Sequence, residues 1–227
     1  MDHQQQSLNE LLKWSIENSA ATVSNDASNA TDANGAAAPP RDLSKGLNPK
    51  LLAELMGGPS DADLMRMAMT AILAPYSEVD LEQKLIAWDN LEQLIEQIDN
   101  ANNMYSLGLW KPLVEQLNSS EPDMRRMAAW CCSTAVQNNV KSQEKLVETG
   151  AVKRLAELAV GDESQAVRKK AINALSSVSR NFQPGLDELE KALPDDVWKR
   201  RGLDAGDMES VDEVIGILRE RAAAMSS

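Results

Sequence analysis

The chain has 227 residues, 43% of them hydrophobic, which is ample for a core, and a formal net charge of −12 that argues against a nucleic-acid binder, since phosphate contacts need a dominant basic surface. Aromatic residues make up only 4%. Small and aliphatic side chains must therefore do most of the packing, which suits close-stacked helices and argues against a sheet rich in β-branched and aromatic residues.

Met1 to Glu10 is polar and lacks the apolar run of a signal peptide, and no stretch is long enough to span a bilayer, so a cytoplasmic protein is expected. Residues 1–19 form a short amphipathic N-terminal segment, with Leu8, Leu11, Leu12, Trp14 and Ile16 on its apolar side. Two roles suit it: docking on the following domain as a cap, or visiting a partner's groove on a tether. Residues 20–48 are rich in Ala, Ser, Asn, Asp and Pro and are expected to be a flexible linker. At Asn48-Pro49 order is expected to resume, with a helix from Lys50 to Met56 stopped by Gly57-Gly58-Pro59. Ser60 to Ala74 predicts a second helix with Leu64, Met67, Ala68, Ala71 and Ile72 inward. The methionines at 56, 65, 67 and 69 read better as core filler under this capping pair than as a promiscuous binding face.

From Asp80 to Asn181 one helical unit recurs at a spacing of about 43 residues. Leu81, Met124 and Val167 fall in register, as do Leu85, Ala128 and Ala171, and Trp88, Cys131 and Ala174. Gly108-Leu109-Trp110-Lys111 matches Gly150-Ala151-Val152-Lys153 as the glycine-led start of a further helix. Asp80 is expected to cap a helix running to about Ile98 and ending in Asp99-Asn100-Ala101-Asn102-Asn103. The second unit ends its long helix at Gln137-Asn138-Asn139 and the third at Arg180-Asn181. Such residues terminate helices by competing for backbone hydrogen bonds, and stacked in a row they also make a polar docking edge. After Asn181 the period is expected to fail, leaving a short helix before Pro194 and a capping helix lined by Met208, Val211, Ile215 and Leu218. The pattern predicts an all-α, armadillo/HEAT-like right-handed helical solenoid over residues 49–227, with a flexible N-terminal segment. Its repeats fall at about 80–122, 123–162 and 163–194, with the cap at 207–224. In this register Leu85 is core, and Lys84→Asp is expected to be tolerated.

Glu78, Asp80, Glu82, Asp89, Glu92, Glu96 and Asp99 crowd the first repeat, whereas Arg125, Arg126, Lys153, Arg154, Arg168, Lys169, Lys170 and Arg180 mark the next two. That asymmetry either steers a partner into one orientation or reflects solvated outer faces. Cys131 and Cys132 are adjacent on a helix and read as small core residues. The single histidine, His3, lies in the terminal segment, and Gly57-Gly58 lacks the Lys-Ser or Lys-Thr of a phosphate loop. No catalytic residue, metal or cofactor is expected, and the chain does not read as an enzyme.

Several motifs, in order, carry a resemblance. Leu11-Leu12-Lys13-Trp14-Ser15-Ile16-Glu17-Asn18-Ser19, Pro49-Lys50-Leu51-Leu52 and Val79-Asp80-Leu81-Glu82-Gln83-Lys84-Leu85 come first, then Asp99 to Asn103 and Thr134-Ala135-Val136-Gln137-Asn138-Asn139. They resemble the Fes-type, HspBP-like nucleotide exchange factors of fungi and animals. The resemblance implies an armadillo-like fold that binds the nucleotide-binding domain of a cytosolic 70-kDa heat-shock chaperone, grips one lobe, and hastens ADP release; a monomer is expected. It also implies that the segment with Leu8, Leu11, Leu12, Trp14 and Ile16 mimics substrate and frees clients from the chaperone's peptide site. By motif match the chaperone-binding role falls on Asn100, Ala101, Asn102, Gln137, Asn138 and Asn139, and by repeat position on Arg180 and Asn181. Longer family members continue through another repeat, whereas the tail from Pro184 to Ser227 is short and acidic.

The rival reading is a passive armadillo adaptor holding an extended peptide in its concave groove. That groove presents a Trp followed four residues later by Asn in successive repeats. None of Trp88, Trp110, Trp130 or Trp198 has Asn at that spacing, and Trp14 with Asn18 precedes the solenoid.

Overall fold

The computed structural model describes residues 59–225. The expected N-terminal helix with Leu8 to Ile16, the linker, and the helix from Lys50 to Met56 lie outside the described residues. Among the described residues there are ten α-helices and no strand: α1 (Asp61–Leu73), α2 (Leu81–Ile95), α3 (Ile98–Ser106), α4 (Trp110–Glu115), α5 (Pro122–Val136), α6 (Val140–Glu148), α7 (Ala151–Gly161), α8 (Gln165–Ser179), α9 (Gln183–Ala192) and α10 (Met208–Ala224). A 3-10 turn over Gln116–Asn118 extends α4.

Local chemistry sets most of these starts. Ser60 accepts from the Asp63 N–H at the head of α1, and Asp80 forms a reciprocal capping box with Gln83 at the head of α2. Pro122 opens α5, where its missing N–H is no loss. Gly108 and Gly150 hold φ of 68° and 72° in the turns before α4 and α7, a left-handed conformation that glycine adopts without steric cost.

The long helices α2, α5 and α8, of 15 residues each, stack side by side, with α1 packed on α2 and α10 on α8. Each long helix is followed by shorter ones that close the unit, the arrangement of an armadillo-like helical solenoid. Between α5 and α8 the 43-residue register holds residue for residue: Met124, Ala128, Cys131 and Ala135 are buried, and so are Val167, Ala171, Ala174 and Val178.

Four expectations need correction. First, the long helix from Asp80 ends at Ile95, and a kink at Glu96-Gln97 starts α3, so Asp99 to Asn103 lie inside a helix and do not trail off its end. Second, the first unit is shorter than 43 residues, which shifts its buried face. Leu81 and Leu85 are only half-buried, whereas Lys84 is 2% exposed, its ammonium donating to the Ala71, Ile72 and Ala74 carbonyls at the C-terminus of α1. Third, Met65 and Met69 of α1 enter the core while Met67 is 62% exposed.

Fourth, the period does not stop at Asn181. Pro122, Gln165 and Met208 start their helices 43 residues apart, so α10 takes the fourth long-helix position. The loop from Leu193 to Asp207 replaces the missing third helix of the unit before α10, and Glu190 organises it. Its buried carboxylate accepts from the Trp198 indole at 2.9 Å and from the backbone N–H groups of Arg201 at 2.9 Å and Leu203 at 3.0 Å.

Two arginines at equivalent positions join successive units. Arg125 makes a fork onto Asp162 at 2.8 and 3.1 Å and also donates to the Ser119 and Ser120 carbonyls. Arg168, fully buried, repeats the loop contacts at Asp162 and Glu163, and its remaining donors close the end of α10 at the Ala222 and Met225 carbonyls.

Candidate protein-binding groove

Where α2, α5 and α8 stack side by side, residues from three successive units meet along one surface. They bound a groove of about 580 Å³, with Glu92 and Glu96 from α2, Trp130 and Thr134 from α5, and Lys170 and Asn173 from α8. Polar contacts tie its floor together. The Thr134 hydroxyl donates to Glu92 Oε1 at 2.7 Å, and the hydroxyls of Ser133 and Ser177 meet at 3.2 Å. Lys170 Nζ lies 3.4 Å from the centroid of the Trp130 ring, a cation–π stack. Burial lowers the pKa of Lys170, and the charge of Glu92 opposes that shift.

At one end the groove reaches Gln137 and Asn138, both exposed. Asn138 and Asn181 occupy the same place in successive units, just past α5 and α8, with left-handed φ of 53° and 54° that asparagine tolerates better than most residues. Both are exposed. Asn139, by contrast, is 6% exposed and caps α6, accepting from the Ser142 N–H and donating to the Ser142 hydroxyl. Arg180 is half-buried and committed to the Ser176 hydroxyl and the Asp212 carboxylate of α10.

Asn100, Ala101 and Asn102 do not stand in this row. In the first unit the place between long and short helix belongs to Glu96-Gln97. Asn100 is 7% exposed, its amide donating to Asp61 of α1 at 2.8 Å and to the Leu94 carbonyl at 3.0 Å. Ala101 is buried, and Asn102 is half-buried with an Oδ1 that has no partner among the described residues. The structure thus brings Gln137, Asn138, Asn181 and the edge of Arg180 to the surface, and buries Asn100, Ala101 and Asn139. Sequence reasoning missed Trp130 and Lys170 as a pair. The available signal was that they fall off the core rows of α5 and α8, on the face opposite the buried stripe.

The arrangement offers amides, two carboxylates and a stacked ammonium along one polar trough, chemistry that recognises a protein surface by hydrogen bonding and charge. Among the described residues no helix is long and apolar enough to cross a membrane.

A solved engineered protein shares the fold, with a TM-score of 0.51 over 78% of this chain and 72% of that one at 18% identity. The family model described as nucleotide exchange factor Fes1 matches residues 8–104, and that of the SIL1/FES1/HPBP1 C-terminal domain matches residues 100–189. A protein of Gibberella zeae called Hsp70 nucleotide exchange factor FES1 is 51% identical over 94% of this chain and 96% of its own length. One of Coccidioides immitis with the same name is 49% identical over 94% of this chain and 97% of its own. The chain belongs to the Fes1 family of nucleotide exchange factors.

Proposed function

We infer that this chain is a nucleotide exchange factor for Hsp70, a co-chaperone that hastens ADP release and so promotes client release and folding. The observation that carries the reading is the 51% identity, over nearly the whole of both chains, to a relative named for that activity. The partner surface is the chaperone's nucleotide-binding domain, and the contact is made by the polar groove and its amide edge. Gln137, Asn138 and Asn181 are exposed there, and the long helices beneath them are fixed by a continuous buried core. No catalytic side chain is required. A monomer that binds the open, nucleotide-free state more tightly than the closed state shifts the population toward opening, and ADP leaves faster.

The N-terminal segment with Leu8, Leu11, Leu12, Trp14 and Ile16 supplies the second half of the cycle by occupying the chaperone's peptide site, a role that suits its clustered apolar side chains. The site of action is the cytosol, whose reducing conditions suit the two buried free thiols. Release of fluorescently labelled ADP from purified Hsp70 tests the reading. The full chain should accelerate release at least tenfold at micromolar concentration, and an unchanged rate would remove it.

A further inference from the structure

The groove is electrically polarised across its width. The α2 wall carries Glu92 and Glu96, and the α8 wall carries Lys170. Glu92, the acid whose charge acts most on Lys170, has its Oε1 engaged by the Thr134 hydroxyl, and Lys170 makes no ion pair among the described residues. The ammonium rests instead on the Trp130 ring at 3.4 Å. Its charge is partly desolvated and its long side chain already ordered.

Both conditions favour capture of an incoming carboxylate. The lysine has less rotamer freedom left to lose, and an ion pair formed in a partly dry trough is stronger than one in open water. The ring behind the ammonium holds the charge in place without neutralising it. On the opposite wall Glu96 is exposed and repels a second acid, so only one orientation of an acidic partner surface is favourable.

We propose that the Trp130–Lys170 stack is the orientation-determining contact of the groove, receiving one Asp or Glu side chain of the chaperone's nucleotide-binding domain while the α2 acids face a neutral or basic part of it. This rests on the exchange-factor reading and adds to it which wall meets which charge. It also assigns Trp130 a role as a positioning residue, acting through the lysine.

The test is titration of the full chain and its variants against the purified nucleotide-free domain at about 50 and 200 mM salt, with thermal melts to establish that each variant is folded. Lys170→Gln should weaken binding about tenfold at low salt and less at high salt, because a screened ion pair is what it loses. Trp130→Ala should give a smaller loss of the same salt dependence, and Trp130→Phe, which keeps a ring, should recover most of it. Lys141→Gln, an exposed lysine that does not line the groove, should bind like the unaltered chain. Equal affinities for Lys170→Gln and the unaltered chain would overturn the proposal while leaving exchange activity standing, as would a loss with no salt dependence or no rescue by Trp130→Phe. If the unaltered chain does not bind at all, this proposal and the exchange-factor reading fall together.

Discussion

Lys84 and Glu190 are charges held inside the protein by several partners each, and each makes a prediction. Lys84 serves as the C-terminal cap of α1, three carbonyls converging on its ammonium at the negative end of the helix dipole. Lys84→Asp sets a carboxylate against those carbonyls and should cost about 3 kcal/mol or more, where Lys84→Met, keeping the stem, should cost about half as much. Urea midpoints check this, with exposed Gln93→Ala, within α2, as the neutral comparison. Glu190 is pulled in two directions. Burial raises its pKa, but the Arg201 N–H, the Trp198 indole and the Leu203 N–H together lower it below the ordinary 4.5. A carboxylate with a lowered folded-state pKa contributes stability above its unfolded value and loses it as the pH falls through the folded one. Glu190→Gln should therefore melt several degrees lower than the unaltered chain at roughly pH 6 to 8, with the gap closing below about pH 4.5. A gap that widens in acid would contradict the assignment.

At the scale of elements, the close approach of α9 to α8 and the closure of α10 are the features most open to test. A Cβ at Gly185 would land on the Val178 carbonyl, whereas one at Gly161 meets nothing within 4 Å. Gly185→Ala should lower stability by about 2 kcal/mol or more, and Gly161→Ala should leave it within about 0.5 kcal/mol or raise it. Arg168 joins the loop before α8 to the end of α10, so Arg168→Met strands the Ala222 and Met225 carbonyls. Hydrogen exchange should then reach α10 first, at an opening cost about 3 kcal/mol lower, while α5 keeps its protection.

These elements also show what local sequence carries. The head of α2 was legible because Asp80 and Gln83 form a capping box within four residues. The break at Glu96-Gln97 was not, since neither residue is a helix breaker and no side chain caps α3. The last helix was legible from Met208, Val211, Ile215 and Leu218, but its place as a fourth long helix was hidden. The unit before it lacks a third helix, and the loop in that place is ordered by Glu190 from 11 and 13 residues away, which no local pattern records.

Across the whole molecule, the repeated apolar rows gave away the all-helical solenoid, and the uneven charge of the repeats foreshadowed a groove with acids on α2 and a cation on α8. Which amides reach the surface was not readable. Asn100 and Asn138 look alike in sequence, but one bonds to Asp61 from another helix and the other sits exposed at a left-handed turn. Asn100 and Ala101 are buried in α3, so substitution there would disturb the helix itself; Gln137→Ala with Asn138→Gly is the cleaner lesion, expected to weaken chaperone binding about tenfold with an unchanged melt. State-selective binding is read from the Kd of the full chain for the chaperone's nucleotide-binding domain, empty and loaded with ADP. The empty domain should be bound more tightly, by the same factor by which the chain weakens ADP binding, with a ratio of about 100 corresponding to about 2.7 kcal/mol. Equal affinity for the empty and loaded domains would contradict it.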